Sequence, residues 1–141
     1  MPTQRDIRRR AMQVLYEIDL RGEQDTEAIE RGLEDDTFDT PQVRQAAFEL
    51  ARAAWDRHAQ ADAIVAELAP DWPTHRQPPL DRAILRLAYH EMTSGHAPVK
   101  VAINEGVELA KQFCSQQSPA FINGVLDKMA RRLSAAMTND E

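Results

Sequence analysis

A chain of 141 residues that is 43% hydrophobic and 28% charged has the length and composition of one globular domain. Only 6% is aromatic, so the core must rest on Leu, Ile, Val and Ala, which favours helix over strand. The single cysteine, Cys114, excludes an intramolecular disulfide and a multi-cysteine zinc site. No run reaches the ~18 apolar residues of a membrane span, and no signal-type apolar stretch follows the arginine-rich start; a cytoplasmic, reducing compartment is the expectation.

The net charge is −6, and its distribution is uneven. Residues 1–10 hold four arginines and one acid, for +3, while residues 22–40 hold eight acids and one base. Such asymmetry fits a local anionic partner or a solvated helix start, and charge alone leaves both open.

The first helix is predicted from about Thr3 to Leu20, because Ile7, Ala11, Val14, Leu15 and Ile18 share a helical face, and Gly22 can end it. The acidic stretch Glu23 to Thr40 has poor periodicity, with room for a short helix around Thr26 to Leu33. Thr40-Pro41 reads as an N-cap with a first-turn proline, followed by the stripe Val43, Ala47, Leu50, Ala51 and Ala54. A further helical stretch around Ala61 to Leu68 ends at Pro70. Residues 70–79 hold four prolines and form a rigid connector.

Three more helices close the chain. Pro79 to Met92 carries Leu80, Ala83, Ile84, Leu87 and Ala88 on one face, and Ser94-Gly95 breaks it. Pro98 to Phe113 carries Ala102, Gly106, Leu109 and Phe113. Ser118-Pro119 opens the last helix as cap plus proline, with Ile122, Val125, Leu126, Met129 and Leu133 inward. The expectation is an all-α, single-domain bundle of about six to seven helices over residues 1–136, with residues 137–141 as a frayed tail.

Nothing in the pattern points to catalysis. His58, His75, His90 and His96 lack metal-ligand spacing and read as surface or capping residues. Glu105 and Glu108 share a polar face with Lys111 and read as solvated. There is no glycine-rich phosphate loop and no nucleophile elbow. No catalytic residue, metal ligand or cofactor is assigned.

Two features suit binding. Arg5, Arg9, Met12 and Tyr16 lie on the first helix away from Ile7 and Ile18, with Arg8 near the boundary. Such a stripe can meet phosphates or be covered by another helix. On the last helix Phe121 sits at the edge of the apolar stripe, with Lys128 and Arg132 along the same edge. That pairing can hold an unstacked base, or the ring can tuck into the core. Gly106 and Gly124 inside helices suggest close approach of a neighbour.

Several segments carry a family resemblance. Residues 10–16 (RAMQVLY), 80–88 (LDRAILRLA) with Glu91-Met92, 98–105 (PVKVAINE) through 108–111 (ELAK) with Phe113, and 121–127 (FINGVLD) resemble the transcription antitermination factor NusB family. The resemblance implies an all-α fold of two helical subdomains and a non-catalytic adaptor. It implies binding to single-stranded boxA RNA of ribosomal RNA operons, with the small-subunit ribosomal protein that doubles as NusE, within the transcription elongation complex. It implies RNA contacts from Arg5, Arg8, Arg9, Arg10, Arg86, Gln117, Phe121 and Lys128, and partner contacts from Tyr16 and Asp81. The chain departs from the family at Arg9, often Glu, at Ala120, often Lys, and at Gln117, often acidic; Cys114 replaces a usual Gly and His90 a usual Tyr. Two other readings are a structural or homodimeric NusB-like module, and a stand-alone relative of the NusB-like domain that precedes some ribosomal RNA cytosine methyltransferases.

Overall fold

The computed structural model describes residues 3–22, 29 and 39–139, the last three through their backbone. Among these residues are six α-helices and no strand: α1 (Gln4–Arg21), α2 (Pro41–Asp56), α3 (His58–Leu68), α4 (Pro79–Ser94), α5 (Val99–Phe113) and α6 (Ser118–Asn139), with a 3₁₀ turn at Thr74–Arg76. The helix expected around Thr26 to Leu33 lies outside the described residues, except Ile29, which is buried in the core.

The helix starts follow their local chemistry. Thr3 and Asp6 form a capping box on α1, and the Thr40 hydroxyl accepts from the Val43 amide above Pro41. Gly95 ends α4 in the left-handed region, at φ 73°. Ser118 departs from expectation. It is the first residue of α6, and its hydroxyl donates to the buried Asp81 carboxylate. Helix α6 also continues to Asn139, into the segment expected as a tail.

Two sub-bundles share one helix. Helices α1 and α2 pack on each other and on α4; α5 and α6 pack on each other and on the same α4; α3 closes against α4 and α6. This explains why α4 is buried on more than the predicted stripe. Besides Ala83, Ile84, Leu87 and Ala88, it buries Leu85, Asp81, Arg86, His90 and Glu91. A helix between two layers is apolar or paired nearly all round, so its polar residues need partners inside the protein. His90, expected at the surface, is one of these buried residues.

The two helical glycines differ. A Cβ on Gly106 would sit 3.1 Å from Leu126 Cδ1 and 3.4 Å from Ile84 Cγ2, so α5 does approach α6 and α4 closely there. A Cβ on Gly124 would meet nothing within 4 Å, so the close-approach expectation fails at that position.

Candidate nucleic-acid interface

The arginines of α1 have different surroundings. The Arg5 side chain is 70% exposed, and its Nε–H is shared by the Glu105 carboxylate oxygens, at 3.1 Å each. Arg9 is about one-third exposed and donates to Asp39 at 2.8 Å. Arg8 is turned inward: its side chain is 7% exposed, and its Nε–H bonds Glu91, itself 2% exposed, at 2.9 Å. Arg10 is buried beside Asp39 and Gln13. Arg8 and Arg10, expected to face RNA, are thus placed on partners inside the fold. For Arg8 the reason is α4, which buries Glu91 and must neutralise it, and for Arg10 it is the buried Asp39 carboxylate. Met12 is fully buried and Tyr16 half-buried, so of the two readings left open for this stripe, cover by neighbouring helices describes its Met12 and Tyr16 end.

The cationic end is also less cationic than its sequence. Asp6, Glu105 and Glu108 line the same surface hollow as Arg5, Arg8 and Arg9. Glu108 also pairs with Lys111 at 3.2 Å, in keeping with a solvated ion-paired face.

Arg86, the other arginine expected to face RNA, belongs to a charge network joining α1, α3 and α4. It makes two bonds to Asp62, at 2.9 and 2.7 Å, approaches Asp19 at 3.3 Å, and lies over the Trp55 ring at 5.2 Å. Arg82 bonds the same Asp19 at 2.7 Å. Burial alone would lower the Arg86 pKa, but the bonds and charges of Asp62 and Asp19 outweigh it and hold it raised. The structure therefore places Arg86 as a cross-brace between helices.

A second cluster forms where the proline-rich connector meets the start of α6. Trp72, Pro78, Asp81, Ser115, Gln117, Ser118 and Phe121 line an open groove. Trp72 is 45% exposed, and its ring is tilted 60° to Phe121, with centroids 6.2 Å apart. The buried Gln77 side chain donates to the Trp72 carbonyl at 3.1 Å and pins the connector. Gln117 is exposed and Phe121 is half-buried against the core, with the rest of its ring at the groove. Lys128 is exposed further along α6.

Asp81, expected at a partner surface, is only 3% exposed and accepts from Ser118 at 2.9 and 3.1 Å. Burial, then the hydrogen bond and charge of Asp81, push the Cys114 thiol up to about 12, so it stays protonated. Trp72 and Ser115 carry no periodic signal in the sequence pattern, and Ser118 reads there only as a helix cap. An aromatic near one end of a proline cluster was the only available signal, and periodicity says nothing about loops.

Among the described residues no group of His, Cys, Asp and Glu is placed to hold a metal ion, and no helix is long and apolar enough to cross a membrane.

These observations define an all-helical protein of two sub-bundles around a shared helix, with an aromatic groove at one helix start. The model of the NusB family matches residues 5–131, and the chain belongs to that family. Transcription antitermination protein NusB of Herpetosiphon aurantiacus is 35% identical over 130 residues, 89% of this chain and 88% of that protein. The protein of the same name from Chloroflexus aggregans is 36% identical, covering 96% of this chain and 91% of its own. Among solved structures, T. maritima NusB superposes with a TM-score of 0.76 at 28% identity, covering 93% of each chain. A chain from a crystal structure of antitermination factors NusB and NusE in complex with double-stranded RNA gives 0.76 at 25% identity, covering 92% of this chain and 96% of that one.

Proposed function

We propose that this chain is a non-catalytic transcription antitermination adaptor that binds boxA RNA of ribosomal RNA operons together with ribosomal protein NusE, in the elongation complex. The observation that carries the reading is the end-to-end likeness to a chain solved with NusE and RNA. The geometry supports it locally. Arg5, Arg9 and Lys128 have exposed or part-exposed cationic groups, and Phe121 and Gln117 sit at an open aromatic groove. Arg8, Arg10 and Arg86 act from inside, by fixing α1 and α4. Asp81 likewise shapes the partner region through Ser118 rather than by touching the partner, while Tyr16 offers a half-buried ring.

The acids around Arg5 and Arg9 make unaided RNA binding weak, because they offset the local cationic field. NusE then tightens it by adding cationic surface. The test is fluorescence anisotropy with labelled boxA strand, scrambled strand and duplex, with and without NusE. The reading predicts preference for the boxA strand and a marked gain with NusE. Equal binding of all three RNAs with no gain from NusE overturns it, and a homodimer of the chain would then be the better account of its surfaces.

A further inference from the structure

The groove between the connector and α6 has a definite hydrogen-bond polarity. An ionised carboxylate only accepts, so the Ser118 hydroxyl must donate to Asp81, at 2.9 Å to one oxygen and 3.1 Å to the other. That uses the only hydrogen of Ser118. The Ser115 hydroxyl, 3.1 Å from Ser118, must then donate to it. Both hydroxyl protons run inward, and each hydroxyl in such a chain polarises the next. What remains toward the groove are lone pairs on Ser115, which is exposed, and the unfilled acceptor capacity of Asp81, which lines the groove. No described cation contacts Asp81.

The other walls are aromatic. Trp72 and Phe121 meet at 60° rather than in a closed stack, so the rings leave an open corner. The space is about 220 Å³, below the roughly 300–1,000 Å³ of pockets for drug-sized ligands. A single flat ring system suits it.

Building on the RNA-binding reading above, we propose that this groove takes one unpaired guanine, packed against Trp72 and Phe121, with its N–H edge toward the acceptors of Ser115 and Asp81. Guanine is the base whose pairing edge places two donors side by side, N1–H and the N2 amine. Uracil sets one donor between two acceptors, and adenine and cytosine pair a donor with an acceptor. An acceptor-lined wall therefore discriminates for guanine. The exposed Gln117 amide can donate to the guanine O6.

The test uses uridine dodecamers carrying one central guanosine, inosine, adenosine or uridine, titrated with the full chain at low salt by anisotropy. The guanosine strand is expected to bind about tenfold tighter than the uridine and adenosine strands, with inosine, which lacks the N2 amine, between them. Ser115→Ala should narrow that preference by weakening the guanosine strand more than the uridine strand. Trp72→Ala should weaken every strand alike, because stacking tolerates any base. Trp72 is half-exposed and Ser115 exposed, and a circular dichroism melt of each variant checks that it folds. Salt-dependent binding of all four strands with equal affinity leaves the RNA reading standing and overturns the guanine site. A guanosine preference undiminished in Ser115→Ala also overturns it. Failure of every strand to bind, with NusE present as well as absent, sinks both.

Discussion

The Arg8–Glu91 pair offers a sharp test, because the sequence reading and the structure give Arg8 different work. The pair is nearly dry, at 7% and 2% exposure, and joins α1 to the shared helix α4. Arg8→Met keeps the length and helix propensity of the side chain but leaves Glu91 as a buried carboxylate without its cation. Breaking such a pair costs about 3–5 kcal/mol, a large share of the ~5–15 kcal/mol by which domains are stable. With a urea slope of about 1–3 kcal/mol/M, the midpoint should fall by about 2 M. The double variant Arg8→Met, Glu91→Leu removes both charges and should recover most of that loss. Urea titration followed by circular dichroism measures all three proteins. If Arg8→Met is as stable as the parent while its RNA affinity drops, the burial argument is wrong and Arg8 is a surface phosphate contact.

Gly124→Ala should stabilise by about 0.5–1 kcal/mol, since the Cβ meets open space and the helix gains propensity; Gly106→Ala should gain nothing or lose, because the Cβ crowds Leu126 and Ile84, and thermal melts of the two compare them directly. Burial, then the charges of Arg57 and His96, hold the His90 pKa below 6.5. The unfolded state therefore binds more protons than the folded state once the pH falls below that value. Stability should drop as the pH falls from about 6.5 toward the folded pKa and be unaffected by His90 above it. Urea midpoints on both sides of that range, with His90→Gln as the flattened control, check this. Replacing Arg5 and Arg9 together by Ala should flatten the log–log salt dependence of RNA binding by about 1.4, from roughly 0.7 per phosphate contact, with the same loss for boxA and scrambled strands.

The fold was largely legible because its helices are amphipathic and their ends carry strong local signals. Thr40-Pro41, Ser94-Gly95 and the apolar stripe of α6 follow from spacing and capping chemistry alone. The second buried side of α4 was not legible. Arg86, His90 and Glu91 look like solvent-facing residues until two sub-bundles close on them, and that is a tertiary fact. The candidate site was legible in part for the same reason. Phe121 and Gln117 do lie at a groove, but Arg8, Arg10 and Asp81 are committed to partners far away in sequence, which no local pattern reveals. Trp72 reaches Phe121 across a turn of the proline-rich connector, where side-chain direction has no period to read.

The proposed function turns on an RNA base packing at the Phe121 groove of this chain. The most direct measurement is the affinity of the boxA strand, with NusE present, for the parent and for Phe121→Ala across a range of salt concentrations, with a thermal melt confirming that the variant folds. Phe121→Ala should lose about 1–3 kcal/mol of binding at every salt concentration with an unchanged salt slope, because the ring carries no charge. An affinity equal to that of the parent would contradict it.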